Sequence, residues 1–168
     1  MREITETFKI YKFEELKEEV KEKVTEKIKR EIEEDFCEFA LYELMWDKAN
    51  ELLKENFGEK AKIIDVYYDL DYAQGSGAMI SFELNYYNID IIVGHRGNYY
   101  HEYTFYLKYN DYEYLGEKRE KQLEKKIIKM NKKLKDFGYN LIENCTNEEN
   151  VEDMLKINEY FENGDIYE

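Results

Sequence analysis

A glycine-containing turn sequence, YAQGSGA at positions 72–78, separates two runs in which apolar and polar residues alternate. The apolar positions are Ile64, Val66, Tyr68, Leu70 and Tyr72 before the turn, and Ala78, Ile80, Phe82, Leu84 and Tyr86 after it. Alternation with a period of two places these side chains on one face of a strand, and glycine gives the turn its backbone freedom. The sequence therefore predicts a β-hairpin with strands over 62–72 and 78–87.

Further strands are predicted around this hairpin. A short alternating run over 7–11 suits an edge strand, and 89–93 and 99–109 suit two strands on either side of a turn at 94–98. Asn163-Gly164 predicts a tight hairpin turn near the C-terminus. Because the connections within 62–109 are short, we expect an antiparallel meander.

Four helices are predicted from periodicity and capping signals. An apolar residue at every fourth position from Leu16 to Ile32 indicates a charged helix that begins at Phe13. A second helix is expected over 35–56 with Gly58 as its C-cap, and a long one over 115–137 that Gly138 ends.

Thr146 as N-cap, with Glu149 three residues later, indicates a short fourth helix. The fold class is therefore α+β, an antiparallel meander packed by two N-terminal helices and a long C-terminal helix. We expect a single α+β domain over residues 1–168.

Charge and cysteine content limit the classes of function. The 39 Asp and Glu outnumber the 25 Lys and Arg, and the net charge of −14 argues against direct contact with nucleic acid phosphates. The aromatic content of 16% is that of a folded chain. Cys37, in a predicted helix, and Cys145, in a predicted loop, lack a metal or redox spacing and suit a reducing compartment. With no apolar leader or membrane span, we expect a cytoplasmic protein.

The polar face of the first hairpin strand is the candidate partner-binding site. Asp65, Asp69 and Asp71 share this face with Tyr67, and Gln74 and Ser76 lie in the adjoining turn. Such a row suits the solvent side of a half-buried strand, a pair of acid–base carboxylates, or an imitation of DNA phosphates that enters a basic groove. We expect these six residues to contact a protein partner.

Other chemistry has weaker support in the sequence. The turn lacks the Gly-Lys-Ser/Thr ending of a phosphate loop, and its glycines do not fit the Gly-x-Ser-x-Gly elbow of a nucleophilic serine. His95 and His101 could bind metal with the strand aspartates only if the strands bring them together, and packing is the favoured role. The nine Lys and Arg of 117–135 indicate a solvated helix face, or an internal partner for the acidic segment 143–168. We therefore predict no catalytic residue, cofactor or metal.

Several segments together resemble a family of small phage and prophage proteins. The opening segment IYKFEELKEEVK at 10–21 resembles its Tyr-Lys-Phe-x-Glu-Leu start, and Phe36 to Asp47 resembles its aromatic helix. The turn at 74–78 resembles its Gln-Gly-Asp-Gly-Ala turn, with Ser76 in place of the aspartate. Tyr100-His101-Glu102 and the segment 158–167 resemble a later strand and the C-terminal hairpin. Members are often labelled antitoxin-like, so the resemblance implies a mobile-element protein and transfers no catalytic residue.

The predicted function is therefore that of a non-enzymatic inhibitor encoded by a phage or mobile element. It would bind a basic surface of a host nucleic-acid-handling or defence protein, as anti-CRISPR and anti-restriction proteins do. The alternatives are an antitoxin that neutralises a toxin and a small hydrolase or metal-dependent enzyme that uses His95, His101 and the strand aspartates.

Overall fold

Four antiparallel strands in chain order form the sheet, in a computed structural model that describes residues 7–71, 73–110 and 114–167. They are β1 (Ala61–Asp69), β2 (Gly77–Tyr86), β3 (Ile89–His95) and β4 (Phe105–Tyr109). The predicted α+β class and the meander are thus confirmed.

The internal contacts group the chain into two compact units. The helical unit contains residues 1–39 and 142–168, and the sheet unit contains residues 40–141. The single-domain organisation stays a prediction, and each unit is described by itself.

A bulge in β1 changes which side chains enter the core. Ile63 pairs with Phe82 and Asp65 pairs with Ser81, so Ile64 has no cross-strand partner. Ile64 is 45% exposed, whereas Val66 and Leu70 are buried. The prediction that Ile64 is a core residue was therefore wrong, because the extra residue interrupts the alternation.

The connection between β2 and β3 is a two-residue turn made without glycine. Tyr87 has a φ of 55° and Asn88 a φ of 63°, which is the left-handed backbone of a type I′ hairpin. The guanidinium of Arg119 lies 4.3 Å from the centre of the Tyr87 ring. This contact between the cation and the ring stabilises Tyr87 at a position where its left-handed backbone conformation is unfavourable.

The predicted strand over 99–109 is wrong in its first half. Residues 99–104 form a loop, in which the Tyr100 N–H donates to the Gly75 carbonyl at 3.3 Å. The Glu102 carbonyl accepts from the Asn131 side chain at 3.2 Å. These bonds hold the segment against the 73–77 turn and against Asn131, so it does not continue the sheet.

The helices are α1 (Glu18–Phe39), α2 (Leu41–Phe57), α3 (Glu117–Cys145) and α4 (Glu148–Ile157). A single 3-10 turn at Phe13–Glu15 precedes α1, so the first α-helix begins later than predicted. It also continues past residue 35, and the second helix starts only after Ala40. Gly58 caps α2 with a φ of 62°, as predicted.

Gly138 lies inside α3 and does not end it. A Cβ at this position would lie 2.7 Å from Leu70 Cδ1 and 3.0 Å from Met45 Sδ. The glycine thus allows close packing, which the sequence alone does not distinguish from a helix end. Because α3 continues, Cys145 is its last residue and lies outside any loop.

Helices α2 and α3 pack on the same face of the sheet. Phe57 of α2 packs against Phe82 with ring centres 5.7 Å apart, and Glu120 of α3 accepts a hydrogen bond from Tyr109 at 2.6 Å. Register places Phe82 and Tyr109 on one face. The opposite face contains Asp65, Tyr67, Met79 and Ser81, and Met79 and Ser81 are buried there.

In the helical unit, α1 and α4 pack around a core with Tyr160 at its centre. The core residues are Leu16, Val24, Ile28, Val151, Leu155 and Tyr160. Tyr160 has no exposed surface, and its hydroxyl donates to the Leu155 carbonyl at 3.1 Å. The expected edge strand over 7–11 is reduced to one bridge between Tyr11 and Tyr160.

The C-terminal reversal occurs at Asn163-Gly164, as predicted. Gly164 has a φ of 91°, and the Phe161 N–H donates to the Asp165 carbonyl at 2.8 Å. Across the described parts of both units, no helix combines the length and the apolar character needed to cross a bilayer.

Candidate partner-binding surface

Asp65 is held between two tyrosines at the edge of the sheet. Its Oδ1 accepts a hydrogen bond from the Tyr42 hydroxyl of α2 at 3.2 Å and from the Val66 N–H at 2.8 Å. The Tyr67 side chain also interacts with this carboxylate. Burial, followed by the charge of Asp65, raises the pKa of both tyrosines, which therefore stay protonated as donors.

Two groups of neighbouring rings lie on either side of this carboxylate. Tyr42 lies 5.9 Å from Trp46, and Tyr67 stacks on His95 with ring centres 4.7 Å apart. The His95 and Tyr100 rings lie 5.1 Å apart. We call these five residues, Trp46, Tyr42, Tyr67, His95 and Tyr100, the aromatic row. The row joins the start of α2 to β1, β3 and the loop over 96–104.

A small hollow at the α2 end of the aromatic row combines rings and carboxylates. It measures about 380 Å³ and is lined by Tyr42, Glu43, Trp46 and Asp47. Glu43 and Asp47 are exposed, and neither forms a salt bridge with another described residue. These carboxylates are therefore available to a cation from outside the described chain.

Asp69 and Ser76 organise the turn at the other end of β1. The Ser76 hydroxyl donates to Asp69 Oδ1 at 3.2 Å and accepts from the Ala73 N–H at 3.1 Å. The Asp71 N–H also donates to Asp69 Oδ1 at 3.2 Å. Asp69 therefore contributes to turn structure through two hydrogen bonds within the turn.

The glycines of this turn allow close packing. The ring of Tyr99 occupies the space that a Cβ on Gly75 would fill, and the Tyr100 carbonyl oxygen occupies it at Gly77. Both glycines are buried. The turn is consequently covered by the 99–100 segment and does not present an open cradle of N–H groups.

The six predicted site residues fall into two groups. Asp65 and Tyr67 are half-buried and belong to the aromatic-row environment, whereas Asp69 and Ser76 are half-buried within the turn. Asp71 and Gln74 are exposed on the turn. The three aspartates thus do not form one free acidic row, and the binding role of the six residues stays a prediction.

Tyr42, Trp46 and Tyr100 were missed as site residues, and His95 was considered only as a metal ligand or an enzyme residue. Tyr42 and Trp46 are four residues apart, a spacing that places both on one side of a helix. Trp46 is the single tryptophan of the chain. The stacking of His95 on Tyr67 depends on the sheet register and has no local sequence signal.

The histidines do not join a metal cluster in the described residues. No group of three or more His, Cys, Asp or Glu side chains is placed to hold a metal ion in 7–71, 73–110 or 114–167. His95 Nε2 instead lies 3.0 Å from the Tyr99 carbonyl oxygen.

The acidic surplus is unevenly divided between the two units. The described residues of the helical unit contain 19 Asp and Glu and nine Lys and Arg. The described residues of the sheet unit contain 15 of each. Acidity near the aromatic row is therefore local to the hollow and Asp65.

Comparison with known proteins adds no assignment: protein-family models, curated proteins and solved structures all return no significant match to this chain.

Proposed function

We propose that this protein is a non-enzymatic inhibitor that binds a basic surface of a nucleic-acid-handling or defence protein. The observation that supports the proposal is the aromatic row, with Asp65 at its centre and the acidic hollow at its end. Tyrosine and tryptophan give large contact area with few rotatable bonds, which is why they dominate binding energy at protein interfaces.

The chemistry of the surface suits arginine and lysine side chains of the partner. A guanidinium can stack on the exposed ring of Tyr42 or on Trp46 while Glu43 and Asp47 provide the opposite charge. Asp71 and Gln74 would contribute polar contacts at the edge, and Asp69 and Ser76 would hold the turn in place. The mobile-element origin implied by the family resemblance stays a prediction.

The test is inhibition of a purified DNA endonuclease from a bacterial restriction or CRISPR system. We expect the protein to inhibit DNA cleavage, and the inhibition to weaken as salt rises, because exposed charges are screened. Tyr42→Ala is expected to raise the half-inhibitory concentration at least 10-fold, the scale of an interface hot spot.

Two double variants on α2 distinguish the effect of the carboxylates in the hollow from the effect of the net negative charge. Glu43→Gln/Asp47→Asn removes two carboxylates from the hollow, and Glu51→Gln/Glu55→Gln removes two elsewhere on the same helix. We expect only the first pair to weaken inhibition. Equal behaviour of both pairs, or rescue of cells from a toxin without inhibition of any endonuclease, would contradict the proposal and favour the antitoxin alternative.

A further inference from the structure

The outer edge of β4 presents backbone groups that no described strand pairs with. β4 is the last strand of the sheet, after β1, β2 and β3. The Arg96 N–H donates to the Thr104 carbonyl at 3.1 Å, which fixes the phase of hydrogen bonding along the β3–β4 ladder. Since bonded and non-bonded pairs alternate in an antiparallel ladder, Tyr106 and Lys108 bond towards β3. Phe105, Leu107 and Tyr109 therefore direct their N–H and C=O groups outwards.

This edge lacks two of the features that usually block strand addition, a bulge and a proline. β1, at the other side of the sheet, has a bulge, and α2 packs closely against it. β4 keeps a regular register with β3 over all five residues and contains no proline. An uninterrupted, largely apolar edge is a template for another strand.

A groove follows the same edge, between β4 and α3. Its volume is about 440 Å³, and its strand side includes Phe105, Leu107 and Tyr109. On the helix side lie Glu120, Glu124 and Ile128, which are four residues apart and form one stripe. Arg96 also lines the groove.

The charges differ between the two ends of the groove. Glu120 bonds to Tyr109 at the C-terminal end of β4, and Glu124 lies one helical turn further along α3. Arg96 pairs with Thr104 at the N-terminal end of the strand. Glu124 has no salt bridge to another described residue, so its carboxylate is available to an incoming cation.

We propose that an extended segment of a partner protein adds to β4 as a fifth, antiparallel strand in this groove. Backbone bonds to Phe105, Leu107 and Tyr109 hold the segment, as in other cases of strand addition. A lysine or arginine near the N-terminal end of the segment meets Glu124, and a carboxylate near its C-terminal end meets Arg96. This surface is separate from the aromatic row, and the proposal does not depend on the proposed inhibitory function.

The test uses two synthetic seven-residue peptides of the same composition, with a valine-rich centre. One has lysine at its N-terminal end and glutamate at its C-terminal end, and the other has the two exchanged. We expect the first peptide to bind several-fold more tightly, measured by NMR titration. It should slow hydrogen exchange at the amides of Phe105, Leu107 and Tyr109.

Two variants test whether peptide binding depends on the backbone edge of β4 and on the Glu124 carboxylate. Leu107→Pro removes one outward N–H while leaving the ladder to β3 intact, and it should abolish peptide binding. Glu124→Gln keeps the backbone edge and should weaken binding of the first peptide several-fold at low salt. Glu117→Gln, which lies outside the groove, is the control and should leave binding unchanged. The amide spectrum of each variant verifies that its fold is retained.

Equal binding of both peptides, tighter binding of the exchanged peptide, or unchanged exchange at the three amides would overturn the proposal. Light scattering tests whether a second copy of this chain occupies the edge instead. A dimer that dissociates on Leu107→Pro would place a second copy of this chain on the edge, and would also overturn it.

Discussion

At the scale of single residues, Asn131 shows how a buried side chain completes the sheet. It lies on α3 with no exposed surface, accepts from the Ile80 N–H at 3.1 Å and donates to the Glu102 carbonyl at 3.2 Å. The ladder between β2 and β3 begins only at the pair Phe82 and Val93, so Ile80 precedes it. Asn131 thus supplies the partner that β3 does not, and it fixes the loop over 99–104 at the same time.

We expect Asn131→Ala to destabilise the protein by about 2–4 kcal/mol, because it leaves a buried donor and a buried acceptor without partners. Urea unfolding monitored by circular dichroism measures the change. Asn140→Ala is the control, since Asn140 is an exposed residue of the same helix, and its effect should stay within about 0.5 kcal/mol. Similar losses for both variants would contradict this role for Asn131.

At the scale of elements, the start of α4 differs by one residue from the capping-box prediction. The N-cap is Asn147, whose side-chain oxygen accepts from the Asn150 N–H at 2.9 Å. Thr146 instead precedes the cap. The prediction was wrong because both residues are favourable N-caps, and the local sequence does not decide between them.

We expect Asn147→Ala to reduce the free energy of unfolding by about 1 kcal/mol, through loss of the cap. Thr146→Ala should change it by less than about 0.5 kcal/mol. Thermal or urea unfolding of the two single variants measures these losses. A larger loss of stability for Thr146→Ala would show that Thr146, the residue predicted from the sequence, is the N-cap.

The hairpin strands were predictable from sequence because period-two alternation is a local signal, and so was the cap at Gly58. The bulge at Ile64 and the interior position of Gly138 depend on tertiary packing, which the local pattern does not contain. The candidate site likewise combines features set by the local sequence with features set by tertiary packing. Asp65 and Tyr67 are on the predicted face, whereas their contacts with Tyr42 and His95 require the placement of α2 and β3.

At the scale of the whole molecule, the concentration of acid in the helical unit affects association. A field of one sign attracts proteins with basic surfaces over distances near the Debye length and speeds their encounter. The balanced sheet unit contains the aromatic row. We therefore expect charge to influence the rate of association more than the specificity of contact.

Tyrosine burial predicts a loss of stability at alkaline pH. The pKa is raised, first by burial, in six tyrosines: Tyr42, Tyr67, Tyr86, Tyr109, Tyr139 and Tyr160. Because the unfolded phenols ionise near pH 10, the unfolded state binds fewer protons above that pH, and stability falls as pH rises further. Their contribution is fully present below about pH 10. Urea unfolding at pH 7 and between pH 9 and 11.5, with absorbance at 295 nm, measures the loss.

Tyr109→Phe separates this effect from the deprotonation of lysine in the same pH range. Tyr109 donates to Glu120, and burial, followed by this bond, raises its pKa. The variant should be less stable at neutral pH but lose stability less steeply above pH 10. An alkaline slope equal to that of the wild type would show that Tyr109 does not contribute.

The contact between Gly77 and the Tyr100 carbonyl also has a consequence for comparative genomics. Any homologue that keeps this hairpin and loop is expected to retain glycine at that position, since even a methyl group would collide with main-chain atoms. An alignment would then show an invariant glycine at position 77, without the helix that a nucleotide-binding glycine motif needs after it. Among such homologues, invariance there would report a steric constraint, and divergence around Tyr42 and Trp46 would be the better guide to a change of partner.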